Sequence, residues 1–550
     1  MTSTRTRRAL VLGAVAALGI AALSGGVGVA QAAQFTAVAP HATKARTLTV
    51  GTWHGVKGQF KTVQAAVDAA HPGDYILIAP GDYKERGDYK HKAPQGAGWP
   101  GAGVQITKAN LHLVGLDRNK TIIDGTKSGP ACSSAKKDQD YGPAGVGRNG
   151  IEVWKANNVS ISNLTVCNFL SGKGDGAGNQ IWWNGGYTTG TPVKMPYFGS
   201  YLNATTTYFS TKDTHQATYG IFASDTNGPG YLYDTYASNM NDSGYYIGAC
   251  PDCNAVIDRA HAQNNVLGYS GTNSGGHFII SNSEWDHNGT GLDTNTQGQG
   301  DPPPPQNGAC PTGKPASDIT SMTNGSCWLL VNNNIHDNNN RNVPGNDLAM
   351  VGVGISLSGA HNDTLIGNKF SNNKAWAIAI VPFVDNANQA GCVSGLYGDP
   401  TVQTLLGSSC IFESAGIHVT GNTFSNNGGF KNPTNGDILN LSGLFDTNGT
   451  ADCFDGNYNA KGLTSEPANI ETKNGVCGQP LTKISDGSGL PDALHVLCNL
   501  QQLPSTDTFC NGDVYPHPSK IVLTKVPTQL NMPTPCVSLP AKPKFCRWAK

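Results

Sequence analysis

Charge is what this sequence has least of. Lys and Arg number 37 against 38 Asp and Glu in 550 residues, a net charge of −1, so there is no basic field with which to hold a nucleic acid. Long apolar runs are missing as well. Beyond residue 32 no stretch approaches the roughly 18 apolar residues that a membrane-spanning helix needs. With 6 methionines and no Cys-His cluster of metal-ligand spacing, an accessory role in copper handling has nothing to rest on. The GGxGxDxUx calcium repeat is absent too, and Asp175 in GKGDGAGN reads as a plain turn. No cofactor is therefore expected, and a calcium ion, though chemically admissible, has no motif behind it.

What the chain does have is glycine, 69 of them, and a period. GIFAS at Gly220, GYYIG at Gly244, GYSGT at Gly268 and GLDTN at Gly291 follow one another at spacings of 24, 24 and 23 residues. A fixed period of that length means stacked units that bury their apolar faces only against one another. Short apolar runs such as Ala255 to Ile257 and Phe278 to Ile280, separated by Asn, Asp, Gly and Ser, read as strand and turn. The expected fold is all-β, a single-stranded right-handed parallel β-helix. Asparagines before the repeated glycines (Asn241, Asn264, Asn288) and in similar later turns (Asn338, Asn373, Asn427) are expected to point inward and bond the turn of the next coil.

The ends differ from the middle. Arg5, Arg7 and Arg8, the apolar run Ala9 to Leu23 and Ala30-Gln31-Ala32 have the form of an export signal over residues 1–32, by the general or the twin-arginine route. Residues 33–49 read as a linker. The 14 cysteines suit an oxidising compartment, and their order suggests neighbouring pairs: Cys132–Cys167, Cys250–Cys253, Cys310–Cys327, Cys392–Cys410, Cys453–Cys477, Cys498–Cys510 and Cys536–Cys546. A secreted, extracellular monomer is expected. The β-helix is placed at residues 50–447, with insertions at 297–326 and 385–412, and residues 448–550 form a Cys- and Pro-rich cap on the last coils.

Val63, Ala66, Val67 and Ala70 have helical spacing and precede the apolar strand Tyr75 to Ala79, so a helix is expected to cap the first coil. This helix, with the PGD and PGDY turns around the strand, resembles the opening of pectin-lyase-like right-handed β-helix proteins. NNIHDN from Asn333 and NKFSNN from Asn368 resemble repeats of the carbohydrate-binding and sugar-hydrolase β-helix group, which includes mannuronan epimerases. The resemblance covers about residues 50–430 and implies a polysaccharide partner; the superfamily contains lyases, hydrolases, epimerases and non-enzymes. The chain departs from its signatures. The polygalacturonase NTD, DD, GHG and RIK motifs and the epimerase DPHE are absent, and Arg259 and Arg341 lack the dense acidic constellation of calcium-binding pectate lyases.

Alternation along the strands orders the outer face. With Ile221, Tyr245, Tyr269, Leu292 and Ile355 inward, Phe222, Tyr246, Ser270, Asp293 and Ser356 form an outward column. Ser224, Gly248, Thr272, Asn295 and Ser358 form a second column beside it. Trp154 and Trp182, with Glu152, extend this face, so that Trp154, Trp182, Phe222, Tyr246 and Asn295 are the expected sugar-binding residues. Asp293 interrupts a neutral column and is the strongest catalytic candidate. One turn away lie Glu284, Asp286 and His287, and stacking at about 4.8 Å per coil sets Asp286 near His336 and His287 near Asp337; Asp347 follows in the next loop. Imidazole beside carboxylate suits a base near neutral pH, and paired carboxylates suit glycoside hydrolysis. Two readings stay open: a polysaccharide lyase or glycoside hydrolase using Asp293, Asp286, His287, His336, Asp337 and Asp347, or a non-catalytic glycan-binding or structural β-helix.

Overall fold

The computed structural model describes residues 45–548 apart from 88–98, 174–175, 187–192, 211–214, 251, 297–327, 346–348, 387–397, 400–402, 405–406, 446–448, 474–478 and, in the tail, 483, 485–488, 502, 504–507, 509, 511, 514 and 517–519. The expected export signal, most of the expected linker and the insertion at 297–326 thus lie outside the described residues. Among those described, no helix is long and apolar enough to cross a membrane.

The chain winds as a right-handed parallel β-helix, the hand that right-twisted parallel crossovers favour. Each regular coil contributes one strand to each of three stacks. The coil containing Gly291 has Phe278–Ser281 in a first stack, Glu284–Asp286 in a second and Thr290–Asn295 in a third. Each strand pairs in parallel with its counterparts one coil before and after. Val159–Cys167 and Tyr197–Thr205 run through both the first and second stacks, joining them into one sheet. The core is the inner face of all three: Ile221, Tyr245, Tyr269, Leu292, Ile355, Ile378 and Ile438 succeed one another fully buried.

The repeated glycine marks where adjacent coils come closest. A Cβ on Gly268 would sit 2.3 Å from the Gly291 carbonyl oxygen, and one on Gly291 or Gly354 would sit 2.4 Å from the next coil's carbonyl. No side chain fits there, which accounts for the period seen in the sequence. The turn before it holds an asparagine ladder. Asn288 Nδ2 donates to Ala262 O at 3.0 Å and to Asn338 Oδ1 at 3.1 Å, and Asn338 and Asn373 repeat the pattern towards Asn427. The register of the earlier members differs from expectation by one residue: the inward amide is Asn265, not Asn264, and Asn265 Oδ1 accepts from the Met240 N–H, which leaves Asn241 outside the ladder. Consecutive turn residues do different work. Asn239, Asn264, His287, Asp337, Asn372 and Asn426 form a column at φ between 53° and 69°, a left-handed conformation that Asn, Asp and His tolerate best. A second ladder, Asn333–Asn368–Asn422–Asn457, lies at another corner and ends on the carboxylate of Glu471.

Helix Val63–Ala69 covers the first coil through Val63, Ala66 and Val67, with Thr62 Oγ1 accepting from the Ala65 N–H. The first strand, Thr47–Val50, already pairs with Tyr75–Ile78, so the coil begins inside the stretch read as linker. At the other end Cys453–Asp455, Tyr458–Asn459 and Ser465–Glu466 complete a further coil beyond residue 447. Disulfides Cys132–Cys167, Cys250–Cys253, Cys498–Cys510 and Cys536–Cys546 are present; the other three expected pairs each include a cysteine outside the described residues.

Part of the tail caps the last coils: helix Gly489–Asn499 packs Ala493, Leu494, Val496 and Leu497 on Trp376, Ala379 and Leu439. The rest does not stay at that end. Val522 O accepts from Asn264 Nδ2 at 2.8 Å, Thr524 exchanges two 2.9 Å bonds with Asn239, and Gln529 exchanges two more with Asn119. Leu539 and Phe545 then bury against Leu77, Val114 and Leu116 of the earliest coils. The tail is therefore a strap along the β-helix as well as a cap.

Candidate functional site

The strand register reproduces the expected column of the third stack but not an open face, since Glu152, Ser270 and Ser356 in it and Asn295 beside it are buried. Gln105, Glu152, Trp182, Phe222, Tyr246, Ser270, Asp293, Ser356, Ala379 and Leu439 pair in succession. Its two ends are occupied. Trp182 and Phe222 stack on each other with centroids 4.9 Å apart and planes within 9°, and both are buried. Trp182 Nε1 donates to Ser224 Oγ at 3.1 Å. The ring faces of these two residues are already covered. At the other end the helix over Ala379 and Leu439 closes the column. Between them Tyr246, Thr272 and Asp293 are half-buried, and Asn295 Nδ2 donates to Asp293 Oδ2 at 3.1 Å. Trp154 is also half-buried, with the Lys155 ammonium 5.2 Å from its ring centroid.

The second stack carries the denser chemistry. Outward from Glu284–Asp286 and Asn334–His336, two linked groups form. In one, Asp286 lies buried and accepts from three sides: His261 Nε2 at 2.5 Å, Gln263 Nε2 at 2.9 Å and His287 Nδ1. In the other, His336 bridges Glu284 (Nε2 to Oε1, 3.1 Å) and Asp337 (Nδ1 to Oδ2, 2.9 Å). The rings of His287 and His336 are 6.2 Å apart. The structure thus brings together Glu284, Asp286, His287, His336 and Asp337 as stacking requires, and adds His261 and Gln263. Asp293 is on the neighbouring stack, beyond the Asn288 turn, and takes no part in these bonds. Asp347 lies outside the described residues.

Electrostatics set the two groups apart. Burial alone would raise the Asp286 carboxyl, but the His261 hydrogen bond and charge, with the bonds from Gln263 and His287, outweigh it and hold it at about 2. The bond to Glu284 raises the His336 imidazole against the opposing effect of burial, and Asp337 and the Asp286 charge add to it, giving about 9. Glu284 is correspondingly lowered, chiefly by the same bond. At neutral pH the site holds an imidazolium at His336 and an anion behind His287. The His287 side chain is 57% exposed with its Nδ1 turned to Asp286. That leaves Nε2 as the nitrogen able to meet a ligand.

Sequence reasoning missed His261 and Gln263, although the signal was available. His261-Ala262-Gln263-Asn264-Asn265 aligns with Glu284-Trp285-Asp286-His287-Asn288 and Asn334-Ile335-His336-Asp337-Asn338 in the strand register.

No family model and no curated protein sequence matches the chain. Similar solved structures include the mannuronan C-5 epimerase AlgE6 A-module of Azotobacter vinelandii (15% identity, 66% of this chain and 82% of that one, TM-score 0.35). Pectate lyase Pel9A (12%, 70% and 70%, 0.33) and the Dettilon tailspike protein (14%, 75% and 58%, 0.35) are others. Likenesses of this degree bear on neither substrate nor site.

Proposed function

We propose that this chain is an exported polysaccharide lyase whose chemistry is carried by the second-stack cluster, with His287 as base and His336 as cation. The observation that carries the reading is the pair of imidazoles 6.2 Å apart in opposite electrostatic settings. One is backed by the ionised Asp286, the other is held protonated by Glu284 and Asp337. Elimination from a uronate needs that combination. The His336 imidazolium, turning one N–H from Glu284 to the sugar carboxylate, offsets that charge and so acidifies the adjacent C5–H; His287 Nε2 takes that proton. The electron pair forms the C4–C5 double bond as the C4–O4 bond breaks, and the departing O4 takes a proton from water.

Hydrolysis by a carboxylate pair fits less well. It requires one carboxyl kept protonated near neutral pH, whereas Glu284 and Asp286 are both shifted downward. The four described disulfides suit the oxidising compartment that an export signal implies. The non-catalytic reading draws support from one observation: His287 and Asp337 occupy the left-handed turn column otherwise filled by Asn, so the backbone alone is a reason for their presence.

The test is kcat/KM on a uronate polymer. His287→Ala and Asp286→Asn are expected to lower it by about 100-fold or more, the size of a lost general base, with Asp293→Asn changing it by less than about threefold. Equal loss in all three, or loss in Asp293→Asn alone, would remove the chemistry from the second stack.

A further inference from the structure

Among the described residues, the face that carries the cluster is covered on one side and exposed on the other. Tyr236–Ser238 is the second-stack strand one coil before His261–Gln263. Its outward Tyr236 and Ser238 are 1% and 0% exposed, although the inward residue between them is Ala237. Tyr236 packs on His261, Ser238 Oγ bonds Thr205 Oγ1 at 2.8 Å, and the strap lies at both ends of the strand. Thr524 is bonded to Asn239, just after the strand, and Asn531 Nδ2 donates to Asp234 Oδ2 at 3.2 Å, just before it. The residues between Thr524 and Asn531 therefore cross the second-stack face beside this strand, with Gln529 reaching Asn119 of an earlier coil. Tyr236 ties the crossing to the cluster, with its ring 5.2 Å from His261 and its hydroxyl donating to Gln263 Oε1 at 3.3 Å. On the opposite side the same columns continue through Lys369, Thr423, Ser425 and Tyr458, all exposed, Tyr458 by 62%.

We infer that the strap makes this a chain-end enzyme. The inference rests on the lyase reading above and adds the mode of attack. The strap lies one coil step from His287 at the Asn264 turn and two coil steps from the Glu284–Asp286 strand over Tyr236–Ser238, about 5 and about 10 Å at the usual strand spacing. That is room for one or two sugar residues, while the other side accepts a long chain. A polysaccharide can place its terminus against the strap, but its interior cannot run past. Thr524 and Gln529, with their partners Asn239 and Asn119, thereby determine product size without touching the reacting atoms.

Full-length oxidised protein acting on a long uronate polymer is expected to release mono- or disaccharide from the first turnovers, while the polymer peak in size-exclusion chromatography moves little. Binding gives a second readout, using His287→Ala to prevent turnover. On polymers of two lengths at equal mass, the number of binding sites should follow the number of chain ends. Loosening the strap with Asn119→Ala and Asn239→Gly, the glycine retaining the left-handed turn, should bring products of intermediate length. Asn119→Ala alone is the milder variant and should shift the profile the same way. Intermediate products from the wild type at the outset, or sites proportional to mass, would overturn the inference and leave the lyase reading in place. Neither binding nor turnover on any uronate polymer would overturn both.

Discussion

Replacing Asn338 by Ala tests whether the asparagine ladder holds the coils together. The side chain is fully buried. Its Nδ2 donates to Trp285 O at 2.9 Å and Asn373 Oδ1 at 3.1 Å, and its Oδ1 accepts from Asn288 N at 3.3 Å and Nδ2 at 3.1 Å. Alanine removes all of these at once, in a turn that water does not reach. Each buried backbone group deprived of a partner costs about 1–3 kcal/mol, and the Trp285 carbonyl and Asn288 N–H are both affected. Adding the broken amide chain gives a loss of roughly 3–5 kcal/mol. Ser425→Ala, at an exposed outward position on the second stack, should cost less than about 0.5 kcal/mol. Equilibrium unfolding in urea followed by tryptophan fluorescence compares the two, since Trp285 and Trp328 lie in the core alongside this turn. A loss below about 1 kcal/mol in Asn338→Ala would mean that the ladder decorates coils held by apolar stacking alone.

Three further outcomes follow from the charges and the strap. The Asp286 carboxyl is held below its unfolded value, so its contribution of about 2 kcal/mol is present above pH 4 and disappears as pH falls towards 2; the melting-temperature gap between wild type and Asp286→Asn should narrow over that window. His336 is raised, so its contribution is present below its unfolded value near 6.5 and is lost as pH rises through about 9. Glu284→Gln removes the largest cause of that shift, and the alkaline limb of activity should move to lower pH; an unmoved limb would show that His336 is not the titrating cation. Cys546→Ser opens the clasp that holds Phe545 against the first coils, at a cost of about 2 kcal/mol, and proteolysis of residues 520–548 should quicken while the coil region stays intact.

The coil period, the inward and outward columns and the four described disulfides were legible because burial imposes them locally. A strand that alternates faces and a turn that recurs every coil leave the same mark in each repeat. Asn264 was misplaced by one because two adjacent turn residues are both asparagine, and only the backbone shows which takes the left-handed φ and which points inward. The cluster was half legible: Glu284, Asp286, His336 and Asp337 follow from stacking, and His261 belongs to the same alignment one coil earlier. The strap was not legible. It has no period, and its bonds join residues 285 and 410 positions apart in sequence. Nor does composition show that the Trp182 and Phe222 rings stack on each other rather than stand open.

The identity of the product tests the central claim most directly. Full-length oxidised protein is incubated with a panel of uronate-containing and neutral polysaccharides, and unsaturated-uronate absorbance and new reducing ends are followed together. The account predicts that both rise in step on a uronate polymer and that both are lost in His287→Ala. Reducing ends without absorbance would establish a hydrolase and contradict the assignment of His287 and His336, and silence on every polymer with glycan binding retained would make the β-helix a binding scaffold.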